Sequence, residues 1–492
     1  MSALPDLRHA ALVLLLLCCG PFASAHADWQ ALAALEQSGA RVSAAAVDLT
    51  DNRSIQQLHA DVRLTPASLT KLVVATAALR VWPANTMFET RLLGSAPING
   101  GVIAGDLILE GAGDPSLTGQ DLWALATQLK AAGVTNVTGR LRVHPAPFAS
   151  VACETKDRCE AATASDDAYD APIASVGVDF GTWCVDIRGR AVGKSAAITG
   201  CSVAQLPIAV VGSVATIAAS PDAQVWAERR TDADGVDRIH VGGRIVAEDS
   251  QRFYRSMSNP ALGAGLLLKE TLHEIGIEVA GDVVVLDGPP PSGVAEIGTV
   301  TGLALKEQLG RMLRFSNNYI ADVLTLTMAA KINAVAPTTL ADASNVLSKF
   351  VVKARRQSKR ADVTPPLLRS GSGLTPENQL SAADFVGLLA HEYRDTRNFG
   401  SFYGGLVVPR QSPFIFLRNG SSRWQDRVAL KTGTMGDPHS VCGIAGYLRK
   451  KDGGWIAFAA IVNGGATTQK HIPLYEALAA IRADVEQLLA RY

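Results

Sequence analysis

The sequence predicts an α+β fold: an antiparallel sheet assembled from both chain ends, helices on its faces, and a large β-rich module inserted between them. Three observations carry this. A short hairpin followed by an apolar helix opens the mature chain, and three strands followed by an amphipathic helix close it. Between them runs a long stretch of short, glycine-broken strands that ends in a proline-rich linker.

The chain has 492 residues, 48% hydrophobic and 19% charged, which is ordinary globular composition with room for more than one domain. Zero formal net charge and a pI of about 7.1 leave no electrostatic footprint for nucleic acid. Arg8 and His9, the apolar run Ala10 to Cys19 and the small residues Ala23-Ser24-Ala25 read as a signal peptide over residues 1–27. The expected compartment is therefore the periplasm, with no transmembrane anchor once the signal is removed. Cys153, Cys159, Cys184, Cys201 and Cys442 remain where disulfides are permitted. The first four allow three connectivities; proximity favours Cys153 with Cys159 and Cys184 with Cys201, leaving Cys442 single in a strand.

Val42 to Leu49 and Ser54 to Leu58 read as the opening hairpin, turning at Asp51-Asn52-Arg53. Thr65-Pro66-Ala67-Ser68-Leu69-Thr70-Lys71 then reads as a helix start, with Pro66 in the first turn. Past Pro83-Ala84-Asn85 come strand candidates at Thr90 to Leu93 and Gly101 to Glu110, and a tight turn at Gly111-Ala112-Gly113-Asp114-Pro115. Leu117 to Ala132 is helical, capped by Gly133. Strands are expected at Gly139 to Val143, Trp183 to Arg188, Gln205 to Val210, Arg238 to Val241 and Val279 to Leu286, with a helix at Ser256 to Ile275. The linker Asp287 to Ser292 marks a boundary. Helices at Leu303 to Leu313, Asn317 to Ala330, Leu340 to Ala354 and Ala382 to Glu392 follow it. Strands at Val428 to Thr434, Ser440 to Arg449 and Trp455 to Asn463, and a helix at Ile472 to Leu489, complete the chain. The expected domains are thus a catalytic body over 28–85 and 290–492 and a module over 86–289, with an inner part at about 140–245.

Three residues separate Ser68 from Lys71, so hydroxyl and amine share a helix face. A lysine in the first turn of an apolar helix loses hydration and meets the positive end of the dipole; both favour the neutral amine and make Lys71 a general base for Ser68. Ser-x-x-Lys alone is common. Here Phe315-Ser316-Asn317-Asn318 precedes a helix, and Leu430-Lys431-Thr432-Gly433-Thr434 lies on a strand. Ser-x-x-Lys, Ser-x-Asn and Lys-Thr-Gly in that order are the elements of β-lactamases and penicillin-binding proteins. Competing chemistries lack their residues. His273-Glu274 has no second histidine four positions after the first, so no zinc site is expected, and no cofactor. Gly371-Ser372-Gly373 reads as a loop, because Ser370 stands where a nucleophile elbow needs glycine. His439 reads as a turn residue after Asp437-Pro438.

The chain resembles the serine D-Ala-D-Ala carboxypeptidases, and within them the class C low-molecular-mass penicillin-binding proteins, peptidase family S13. Ser316 stands 245 positions after Lys71 (316 − 71), a gap that suits a class with extra domains there. Ala46-Val47-Asp48-Leu49, Gly111 to Pro115, Gly276-Ile277-Glu278-Val279-Ala280-Gly281, Ser316-Asn317-Asn318 and Gly371-Ser372-Gly373-Leu374 look like family text. Ser370 replaces an Asp common before that last motif, and His144-Pro145 stands where many members carry an acidic pair.

The resemblance implies a β-lactamase/transpeptidase-like domain with its insert between the first two motifs. It also implies a carboxypeptidase, also acting as a D,D-endopeptidase, on peptidoglycan stems ending in D-Ala-D-Ala, with β-lactams as covalent inhibitors. By resemblance Ser68 is the nucleophile, Ser316 relays a proton to the leaving amine beside Lys431, and Asn318 orients Lys71 and the substrate amide. Thr432 and Thr434, with Gly433 between them, bind the terminal carboxylate, and the backbone N–H groups of Ser68 and Thr434 form the oxyanion hole. The competing readings are a serine β-lactamase and a catalytically silent wall-binding protein of the same fold.

Overall fold

A computed structural model describes residues 29–153, 159–160, 165–289, 292–357, 364–464 and 471–492. The expected signal peptide, and Pro290 and Pro291 of the expected linker, lie outside the described residues.

The body is built on a five-stranded antiparallel sheet in the spatial order Val428–Met435, Val441–Arg449, Trp455–Asn463, Arg41–Asp48, Ser54–Leu58. The two chain ends meet at its centre, as the sequence implied. Trp455–Asn463 lacks polar alternation because both its faces are covered. Ala457, Ala459 and Ile461 join one core with the Thr70–Val81, Asn318–Asn333 and Ala382–Tyr393 helices. Ile456, Phe458, Ala460 and Val462 join a second core with the C-terminal Leu474–Arg491 helix. The period of two thus splits one apolar run between two layers. Thr70–Val81 is buried from Thr70 through Leu79, which is why its sequence is apolar on every side. A helix at Gln30–Gln37 escaped the sequence reading. Its first turn is capped at long range: Ala31 N and Leu32 N each donate to the Asp484 carboxylate at 3.0 Å.

The insert has its own core around another five-stranded sheet, ordered Val283–Val285, Leu141–His144, Leu107–Glu110, Glu89–Gly94, Ala295–Thr301. Helices Gly119–Ala131 and Pro260–Glu274 contribute to that core. Because Ala295–Thr301 returns to pair with Glu89–Gly94, the insert's sheet runs through residue 301, past the boundary expected at 289. A proline-rich stretch reads as a boundary locally, whereas pairing across some two hundred residues leaves no local trace. Two of the smaller sheets lie within 182–256 and so overlap most of the expected inner region of about 140–245, whereas Leu141–His144 belongs to the main insert sheet; a further small sheet joins Ile98–Asn99, Val102–Ile103, Asn136–Val137 and Glu278–Val279. Several expected elements change: Gly101 to Glu110 is two strands, Val102–Ile103 and Leu107–Glu110, and Val279 to Leu286 is also two, Glu278–Val279 and Val283–Val285, each pair divided between two sheets. Gln205 to Val210 is mostly loop before the strand Val210–Gly212, and the expected Ser256–Ile275 helix splits into a strand Ser250–Ser256 and a helix whose N-cap is Asn259. Cys153 pairs with Cys159 and Cys184 with Cys201, closing short loops. Cys442 is buried and unpaired, its thiol pushed up to about 12 by desolvation.

The turn at Gly111 to Pro115 is the joint between insert and body. Asp114 Oδ1 accepts from the Ser116 amide and hydroxyl at 2.9 and 2.7 Å, and Gln308 Nε2 donates to it at 3.2 Å. The amide of Leu303 in turn donates to Ser116 Oγ at 2.9 Å. Gln308 lies on the Leu305–Phe315 helix, whose C-terminal end presents Ser316.

Candidate active site

The expected helix start is two elements: a 3₁₀ turn at Ala67–Leu69 carries Ser68, and the α-helix begins at Thr70. Lys71, fully buried on the next turn, donates from Nζ to Ser68 Oγ at 2.8 Å, Asn318 Oδ1 at 2.7 Å and the Ser372 carbonyl at 2.6 Å. These three acceptors saturate an ammonium.

Local structure explains the Ser-Asn-Asn spelling. Ser316 ends one helix in the left-handed region (φ 59°), and Asn317 caps the next, its Oδ1 accepting from Ile320 N at 2.8 Å. Asn318, first residue of that helix, therefore faces Lys71. Its Nδ2 donates to the Tyr169 carbonyl at 2.9 Å, so the insert reaches the edge of the site.

Lys431 on the edge strand donates to Ser316 Oγ at 3.0 Å and to the Thr432 carbonyl at 2.6 Å. Burial alone drives its pKa from 10.5 down to about 7. Gly433 is required by a close approach: a Cβ there would lie 2.4 Å from the Pro66 carbonyl oxygen and 2.9 Å from Leu69 N. Across the strand pair, a Cβ on Gly443 would lie 2.7 Å from Leu69 Cδ1. Two facing glycines thus let the strand press against the Ser68 turn. Thr434 is exposed and Thr432 half-buried at this edge.

Sequence reasoning missed the Ser372 carbonyl, having read Gly371-Ser372-Gly373 as a plain loop. Ser372 N donates to the buried Asp322 at 2.7 Å, and Gly373 N donates to Ser370 Oγ at 3.0 Å, so Ser370 serves the loop's backbone. A Cβ on Gly373 (φ +75°) would lie 2.0 Å from the Ala67 carbonyl oxygen. The paired glycines were the available signal: they mark backbone approaching backbone. His144 faces Glu110 of the neighbouring strand, Nδ1 to carboxylate 2.8 Å, within the insert sheet. His439, half-buried in the loop after the edge strand, is held below its ordinary pKa by desolvation, opposed by a hydrogen bond with Asn463.

Residues 26–485 match the model of the D-Ala-D-Ala carboxypeptidase 3 (S13) family. The chain belongs to this family. It is 28% identical to a D-alanyl-D-alanine carboxypeptidase of Actinomadura sp. (strain R39) over 91% of this chain and 82% of that one. It is 25% identical to the D-alanyl-D-alanine carboxypeptidase DacB of Haemophilus influenzae, covering 87% of this chain and 86% of the relative. The crystal structure of penicillin binding protein 4 (dacB) from Haemophilus influenzae superposes with a TM-score of 0.74 at 21% identity, covering 94% of this chain and 99% of that one. That similarity establishes the fold: a penicillin-binding-protein body with its insert. Among the described residues of this S13 member, no helix is long and apolar enough to cross a membrane.

Proposed function

We propose that this serine D-Ala-D-Ala carboxypeptidase works through an acyl-enzyme on Ser68, with Lys71 as base, Ser316 and Lys431 as proton relay, and Asn318, Thr432, Gly433 and Thr434 holding the substrate. The observation that carries this reading is the pair of buried lysines, each in hydrogen-bond contact with one of two serines. As a free amine, Lys71 can keep Asn318 Oδ1 and the Ser372 carbonyl as acceptors for its two N–H groups and turn its lone pair to the Ser68 hydroxyl. The same three contacts then serve the base.

Ser68 Oγ attacks the carbonyl between the two D-alanines as its proton passes to Lys71. The oxyanion forms against the backbone N–H groups of Ser68 and Thr434, each such donor contributing about 3–4 kcal/mol to transition-state binding. The C–N bond breaks, Ser316 delivers a proton to the departing amine, and water later cleaves the ester. The terminal carboxylate lies along Thr432 and Thr434 beside Lys431, which fixes the next carbonyl over Ser68. A cross-linked peptide presents the same D,D bond, so endopeptidase cleavage uses the same machinery. A β-lactam carbonyl acylates Ser68 in the same way and stays. Residues 1–27 direct export to the periplasm.

Fluorescent penicillin, followed by peptide mass analysis, tests the nucleophile. The adduct is expected on the peptide containing Ser68; an adduct elsewhere sinks the assignment, and rapid turnover with no persistent ester favours a β-lactamase. D-Ala release from a pentapeptide, compared with cleavage of muropeptide dimers, separates the two peptidase activities.

A further inference from the structure

The residue before Ser68 is in an unfavourable conformation. Ala67 has φ +46°, a region that costs an L-residue roughly 1–2 kcal/mol, and it is buried, so the turn does not relax into solvent. Something must hold it. Two neighbours already press on the segment through missing side chains, Gly433 against the Pro66 carbonyl and Gly373 against the Ala67 carbonyl. Neither pulls on it directionally.

Asn463 does. It is the last residue of the central Trp455–Asn463 strand, 1% exposed and 398 positions away in sequence. Its Oδ1 accepts from Thr65 N at 2.9 Å, and its Nδ2 donates to the Thr65 carbonyl at 3.0 Å. The side-chain amide thereby imitates one rung of a sheet and fastens the chain three residues before Ser68 to the strand. Thr65 Oγ1 donates to the Pro376 carbonyl at 2.9 Å, which fixes the other side.

We propose that Asn463 is a positioning residue for acylation: its two hydrogen bonds to the Thr65 backbone hold Ala67 left-handed and thereby aim Ser68 Oγ at the substrate carbonyl. This rests on Ser68 being the nucleophile. Without the clamp, Ala67 relaxes toward negative φ and Ser68 swings off line. A misplacement of about 1 Å is worth up to about 100-fold in rate.

The test uses the mature full-length protein with Asn463→Ala, Asn463→Asp, Ala67→Gly and the double variant Ala67→Gly/Asn463→Ala. The readouts are the penicillin acylation rate and the melting temperature. Asn463→Ala is expected to slow acylation by roughly 10- to 100-fold. Ala67→Gly alone should leave it near wild type, because glycine takes positive φ without strain. The double variant should recover most of the loss, a rescue that a merely structural asparagine would not show. Asn463→Asp keeps the acceptor for Thr65 N–H and loses the donor to the carbonyl, and should fall between. Wild-type acylation in Asn463→Ala, or a folded double variant with no recovery, overturns the proposal. If Asn463→Ala does not fold, wild-type acylation in Asn463→Asp does so. Ser68→Ala that still labels refutes the nucleophile instead, which keeps the two failures apart.

Discussion

The body and the insert hold their shapes by different means. The body sandwiches one sheet between two apolar layers and presents a polar cluster at the sheet edge, where the buried Lys71 and Lys431 sit against Ser68 and Ser316. The insert wraps small sheets around one core and reaches the site through a polar arm, Ser165 to Tyr169. Arg229 secures that arm: its NH2 donates to the Ser165 carbonyl at 2.6 Å, its Nε to the Ser256 carbonyl at 3.0 Å, and its backbone N to Asp166 at 2.8 Å. The lesson is a division of labour. Damage to the body should change chemistry, and damage to the insert should change which substrate is held.

The largest effect expected is on the body side. Ser68→Ala should remove penicillin labelling and lower D-Ala release by at least about 10⁴-fold with the melting temperature kept. Gly433→Ala comes next: its Cβ must displace the Pro66 carbonyl, so stability should fall by about 1–3 kcal/mol in denaturant titration and acylation should slow with it.

Lys431 supplies a pH signature. It is charged below about 7 and neutral above, so kcat/KM for a carboxylate-ended peptide should fall as pH rises through about 7, and the fall should vanish for the C-terminally amidated peptide. The stability sign is opposite. The unfolded chain binds more protons between about 7 and 10.5, so this group makes stability rise with pH across that window.

On the insert side, Arg229→Ala should raise KM for a wall-derived peptide by about tenfold while penicillin acylation stays within about twofold, since charge-assisted hydrogen bonds of this kind are worth about 1.5–3 kcal/mol. Equal losses in both assays would break the division of labour. The smallest effect sits at the joint. Desolvation raises the pKa of Asp114 from 3.8 to about 6, so the folded protein holds this proton more tightly. Its contribution to stability is full below 3.8 and is lost as pH rises through about 6. Asp114→Asn should flatten that part of the melting-temperature profile.

Much of the site was legible because its residues announce local structure. The spacing of Ser68 and Lys71 brings hydroxyl and amine together across the junction of a 3₁₀ turn and a helix, and Ser316 to Asn318 spell a left-handed corner, a cap and a first-turn side chain. Nothing local linked Asn463 to Thr65, Ser372 to Lys71 or Tyr169 to Asn318, because each contact joins segments 149 or more positions apart. The insert's strands were harder to read for the same reason: Ser250–Ser256 is a strand only because Thr182–Arg188 lies beside it.

The sequence by itself determined the α+β class and the sheet built from both chain ends, favoured the near-neighbour disulfides and marked the candidate catalytic stretches, since periodicity, capping and spacing act over a few residues. Only the tertiary structure decided how those stretches meet. Facing glycines bring a strand onto the Ser68 turn, desolvation takes Lys431 to about 7, and an asparagine at a strand end clamps the Thr65 backbone three residues before Ser68. These are properties of distance and burial between remote segments, and a linear chain does not encode them at any one position.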